Sequence, residues 1–89
     1  MYYVYILRDE ENKLYIGYSS NLRQRLTDHL NRKVYTTKRM KKPKLIYYEA
    51  YNEESLAKER EKKLKNFGSS YSGLVKRLKI KKGHSSMAE

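Results

Sequence analysis

The sequence predicts an α+β domain: a small three-stranded antiparallel sheet flanked by helices, in the order β-β-α-β-α-α. Three observations carry that prediction. Two aromatic and β-branched runs near the start are separated by a short polar turn. A third such run occupies 44–51. Three further segments carry apolar residues at helical spacing, with breaks between them.

Residues 2–8, Tyr-Tyr-Val-Tyr-Ile-Leu-Arg, read as the first strand. Asp9 to Asn12 make the turn, and 13–18 the second strand. Alternation puts Tyr3, Tyr5 and Leu7 on one face of the first strand and Val4 and Ile6 on the other. On the second strand Tyr15 and Gly17 share one face, with Leu14, Ile16 and Tyr18 opposite. Asn21 then suits a helix N-cap, with Gln24 three residues on. Leu22, Leu26 and Leu30 predict a buried stripe on that helix, and Arg25 and His29 stack beside it.

A connector over 31–44 follows, and Pro43 punctuates its end. The third strand spans 44–51. Asn52 is the expected cap of a second helix, with Glu53 and Glu54 in its first turn and Leu56, Ala57 and Leu64 on its apolar side. That helix runs to about Lys65. Gly68 and the serines after it break the chain before a third helix over roughly 70–80, with Tyr71, Leu74, Val75 and Leu78 inward. Residues 1–80 form the expected domain, and 81–89 an expected disordered polar tail.

The composition narrows the partners. There are 21 Lys+Arg against 10 Asp+Glu, a formal net charge of +11, on a chain of 89 residues. Such a charge draws polyanions, nucleic acid before membrane surface. No apolar run is long enough to span a bilayer, and a basic leader is absent from the first residues. The lack of cysteine excludes disulfides and thiolate metal sites, and two histidines argue against a histidine-rich zinc site. A reducing cytoplasm fits that composition. The acid-free stretch 29–48 holds Lys38, Arg39, Lys41, Lys42 and Lys44, the expected phosphate-contacting residues.

The first two strands carry Tyr3-Val4-Tyr5 and Tyr15-Ile16-Gly17. Arg25 lies ten residues after Tyr15, His29 one helical turn later, and Ala57, Glu61 and Lys65 recur every fourth residue on the second helix. In these residues the chain resembles the GIY-YIG nuclease superfamily, in its small stand-alone bacterial branch. Tyr3 replaces the first glycine of that pattern, and an asparagine found downstream of the glutamate in larger members has no clear counterpart. The resemblance implies a metal-dependent endonuclease that hydrolyses phosphodiesters, DNA favoured over RNA, in repair or recombination-type processing. Its catalytic residues would be Tyr5, Tyr15, Arg25, His29 and Glu61, lining one concave surface. Glu61 would hold a single divalent ion, Mg²⁺ or Mn²⁺. Tyr5 would act as base once nearby cations lower its pKa, and Arg25 would grip phosphate. A monomer is expected, with room for a specificity-giving protein partner. The alternative is a non-catalytic or weakly active nucleic-acid-binding module of the same fold. Taken singly, each residue has a plainer reading: the tyrosines as cross-strand packing, Arg25 and Glu61 as solvated helix charges.

Overall fold

In a computed structural model of the chain, residues 1–31, 39–66 and 68–79 are described. The expectations for Lys38 and for a tail over 81–89 lie outside those residues. Six elements follow in the expected order: β1 (Tyr2–Arg8), β2 (Leu14–Ser19), α1 (Leu22–Leu30), β3 (Lys44–Tyr51), α2 (Glu54–Lys65) and α3 (Ser69–Arg77). The sheet is antiparallel with strand order β2-β1-β3, so β1 is central and β2 an edge.

The β1–β2 turn is closed by a buried carboxylate. Oδ1 of Asp9 accepts from the backbone N–H of Glu11 at 2.9 Å and of Lys13 at 2.8 Å, while Oδ2 accepts from that of Lys41 at 3.2 Å. Asp9 is only 5 % exposed. It satisfies turn donors that no strand partner reaches, and it ties the connector to the hairpin. Asn12 takes a positive φ of 64°, which asparagine tolerates better than most residues.

Alternation sorts the sheet into two unlike faces. On one, Val4, Ile6, Leu14 and Ile16 meet Ala57 and Leu64 of α2 and Leu74 and Val75 of α3. On the other, Tyr5, Leu7 and Tyr15 pack with Met40, against Leu22 and Leu26 of α1. A register shift between Ile6 and Leu7 leaves Ile46 without a partner on β1. Tyr47 and Glu49 pair with Ile6 and Val4, hence on the aliphatic face, and Tyr48 pairs with Tyr5 on the other.

Several details depart from the sequence expectation. β2 starts at Leu14 and continues through Ser19. Asn21 does cap α1, accepting from the Gln24 N–H at 3.2 Å. Leu30, however, is 70 % exposed, and His29 is buried instead. At about 100° per residue, His29 falls within roughly 20° of Leu22 on the helical wheel, and Leu30 roughly 80° away. The inward side of α1 is therefore buried His29 with the partly buried Leu22 and Leu26. Glu53, not Asn52, is the N-cap of α2, and it makes no side-chain capping bond. Leu56 is exposed because Ala57 and Leu64 define the buried line. Beside that line Arg60 donates from Nε and Nη2 to the two carboxylate oxygens of Glu49, at 2.9 and 3.0 Å. The hydroxyls of Tyr47 and Tyr51 donate to the same carboxylate. Burial alone would raise the Glu49 pKa, but these hydrogen bonds bring it below the usual range. The cluster fastens α2 to β3.

Candidate active site

Tyr5 is fully buried on the central strand, opposite Gly17. A Cβ at Gly17 would lie 2.5 Å from both Cζ and the hydroxyl oxygen of Tyr5, and 2.8 Å from Cε2 of Tyr15. The Tyr5 ring therefore lies across the glycine, and its hydroxyl reaches over the edge strand. Glycine is needed there because any side chain would push the ring away.

His29 closes the cluster from α1. Its Nε2 is 2.8 Å from the Tyr5 hydroxyl. The three rings pack edge to face or tilted, with centroids 5.7 Å apart for Tyr5–His29, 5.0 Å for Tyr15–His29 and 6.1 Å for Tyr5–Tyr15. One turn before His29, Arg25 interacts with both phenols through hydrogen bonding and charge. Burial works against the Arg25 cation, yet the phenols raise its pKa on balance.

A guanidinium can only donate, so the Tyr5 oxygen accepts from Arg25. The Tyr5 hydroxyl and Nε2 of His29 share a hydrogen bond whose direction follows the imidazole tautomer: with Nε2 unprotonated, the phenol donates to it. Burial, and next the Arg25 charge, lower the His29 pKa from 6.5 to about 4, so the imidazole is neutral at pH 7. The Tyr5 pKa moves upward, first by burial and then by Tyr15, with Arg25 only partly offsetting the rise. This corrects the expectation that neighbouring cations lower it: one guanidinium does not outweigh the loss of water around a fully enclosed phenol.

Four of the five expected catalytic residues thus meet on one face. Glu61 is not among them. It stands on α2, whose buried residues cover the opposite, aliphatic face. A helix that buries Ala57 and Leu64 against Val4 and Ile6 carries Glu61 in the opposite layer from the phenols. The Glu61 carboxylate is half-buried and lies 3.0 Å from Nζ of Lys65. Its charge reaches Tyr18, the β2 residue after Gly17, whose side chain faces the α2 layer. The Tyr5 hydroxyl and Glu61 therefore flank the edge strand from its two sides, near Gly17 and Tyr18.

Among the described residues no group of three or more His, Cys, Asp or Glu could enclose a metal. A lone carboxylate suits Mg²⁺, which keeps several waters and binds through one or two carboxylates together with substrate phosphates. It does not suit zinc.

The basic connector is less free than its sequence implies. Lys41 pairs with Glu11 at 3.1 Å and Lys42 with Glu10 at 3.8 Å, both carboxylates from the β1–β2 turn. Arg39 and Lys44 are exposed. The acids that meet these lysines lie some thirty residues earlier in the chain, so a scan of the connector alone cannot find them. Asp9 is likewise invisible to a motif search, since only its burial shows what it does. No helix among the described residues is long and apolar enough to cross a membrane.

Comparison with known proteins gives the family and the fold. The family model described as the GIY-YIG catalytic domain matches residues 1–79. A UPF0213 protein of Staphylococcus haemolyticus is 34% identical over 67 residues, covering 74% of this chain and 82% of its own. A second, from Staphylococcus saprophyticus, is 30% identical over the same shares. The solution structure of a UPF0213 protein from Bacillus halodurans superposes with a TM-score of 0.55 at 24% identity, covering 92% of this chain and 89% of that one. That last likeness speaks for the fold alone.

Proposed function

The chain belongs to the GIY-YIG catalytic domain family, and from that premise we propose that it is a metal-dependent endonuclease that hydrolyses phosphodiester bonds, with DNA the favoured substrate. One observation supports this most: a buried Tyr5–His29 hydrogen bond with a guanidinium alongside, on a sheet face where plain packing would use aliphatic side chains. Repair or recombination-type processing is the setting this reading favours.

Arg25 offers a planar donor fork to the phosphate and opposes the charge that grows on its oxygens. Tyr5 need not ionise beforehand. As water attacks phosphorus, its proton passes to the Tyr5 oxygen while Tyr5 gives its own hydrogen to Nε2 of His29. The bond to the leaving oxygen breaks, and that oxygen takes a proton from solvent. A phosphate arriving at Arg25 cancels part of the charge that lowers His29, which readies the imidazole to accept. Tyr15 orients the water or a phosphate oxygen. Glu61 would hold one Mg²⁺ or Mn²⁺ across the edge strand from the phenol cluster. When bound, that ion supplies further neutralisation of the phosphate oxygens.

The second reading keeps the fold without efficient cleavage: a nucleic-acid-binding module. The upward shift of Tyr5 and the placement of Glu61 in the other layer favour it. Purified protein, assayed on supercoiled and structured DNA with Mg²⁺ or Mn²⁺, separates the two. The nuclease reading expects nicking that vanishes in Glu61→Gln while DNA binding persists. Binding without any metal-dependent cleavage by the wild type would establish the module instead.

A further inference from the structure

Next to the phenol cluster lies a cavity of about 530 Å³ between α1 and the β1–β3 pair. Its walls are Tyr3, Tyr48, Leu22 and Leu26, and Arg23 and Thr27 stand among its polar lining. The size falls in the range of ligand pockets. Tyr3 and Tyr48 meet edge to face at 6.0 Å. Tyr48 is 53% exposed, an aromatic surface left open to water. The catalytic proposal uses neither ring.

Position gives this pocket its meaning. Tyr3 and Tyr5 are two residues apart on one face of β1, roughly 7 Å along the strand. Tyr48 is the register partner of Tyr5 itself. The pocket therefore opens beside the phosphate that Arg25 would hold, at about the reach of the neighbouring base. Tyr3 stands where the motif has its first glycine, so this wall is absent from a chain that keeps the glycine.

We propose that the pocket between Tyr3, Tyr48 and α1 receives an unpaired nucleobase flanking the cleaved phosphate, so that the substrate is single-stranded at that point. Aromatic faces stack any base, and a cation at the rim suits its phosphate. A paired base does not fit the role, because its faces are covered by the duplex and extrusion costs stacking and pairing. The net charge of +11 matches a polyanionic occupant better than an apolar peptide. This inference rests on the nuclease reading for the place of the phosphate, but its test does not require cleavage.

The probe is an oligonucleotide carrying 2-aminopurine, in single-stranded and duplex forms and with deoxyribose or ribose sugars, bound in EDTA at fixed low salt. Wild type is expected to alter the fluorescence of the single strand and to prefer it over duplex. Tyr48→Ala should weaken single-strand binding about 5- to 150-fold, the range for one stacked base, and Tyr48→Phe should restore it. The sugar arm shows which nucleic acid supplies the base. Tyr48 is exposed, so its loss leaves the core intact, and an unchanged circular dichroism melt confirms this. Unchanged affinity in Tyr48→Ala, or equal binding of single strand and duplex, would overturn the pocket. Cleavage with no such preference sinks the pocket alone, and stacking with no cleavage sinks the nuclease reading alone.

Discussion

The two faces of the sheet are built from the same three strands by alternate residues, yet they do different work. Beneath, Val4, Ile6, Leu14 and Ile16 meet aliphatic residues of α2 and α3. Above, two phenols and an imidazole pack together with a guanidinium at hand. Each aliphatic side chain is satisfied by contact alone, so this face serves stability. Each polar group above needs a partner, and supplying those partners fixes positions and protonation states. The lesson is that one β-strand can carry an aliphatic core and a polar, hydrogen-bonded cluster back to back, because its period of two keeps them apart.

The comparison can be broken first from below. Leu64→Ala empties a fully buried site in the aliphatic layer. It should cost about 2–5 kcal/mol of unfolding free energy, a large share of what so short a chain possesses. Urea unfolding measures the loss. Any remaining folded protein should keep its cleavage rate per active molecule.

The upper face carries its own signature in pH. The folded His29 pKa of about 4 lies below the 6.5 of the free side chain. The unfolded chain therefore binds the proton first, and stability falls as pH drops through that window. From pH 7.5 to pH 5 the loss from this group should be about 2 kcal/mol, growing to roughly 3 kcal/mol by pH 4. In His29→Gln this part of the slope should vanish. A wild-type profile flat from pH 7.5 to 5 would mean that His29 is not held neutral by its surroundings.

The smallest effect belongs to the connector. Neutralising Arg39, Lys41, Lys42 and Lys44 together removes phosphate contacts, but Lys41 and Lys42 already answer Glu11 and Glu10. Nucleic-acid affinity should fall only several-fold, equally for all sequences, with a shallower salt slope. Titrations over a range of salt concentrations check both points.

Much of this arrangement was legible in the residues. Strand alternation predicts the separation of Tyr5 from Val4 and Ile6, and the family resemblance implies the meeting of Tyr15, Arg25 and His29. What escaped depends on three-dimensional position. The exposure of Leu30 follows from where α1 lies against the sheet, which the recurrence of leucine every fourth residue does not give. The direction of the Tyr5 shift depends on how completely water is excluded, which no motif encodes. The layer that carries Glu61 depends on which face α2 covers. The bond between Arg60 and Glu49 joins residues of two different elements, eleven positions apart, which no local pattern pairs.

The central claim is that chemistry resides on the phenol face, and β1 offers its own control. Tyr5 points into the cluster with His29, while Tyr2 packs at the border of the aliphatic core. Each loses only a hydroxyl on change to phenylalanine. Cleavage rates of Tyr5→Phe and Tyr2→Phe, measured side by side with Mg²⁺ at matched folded concentrations, test the claim most directly. The account expects Tyr5→Phe to fall by roughly 10²–10⁴-fold, as for lost acid–base help, and Tyr2→Phe to match wild type. Equal rates in the two variants would contradict it and leave Tyr5 a core residue.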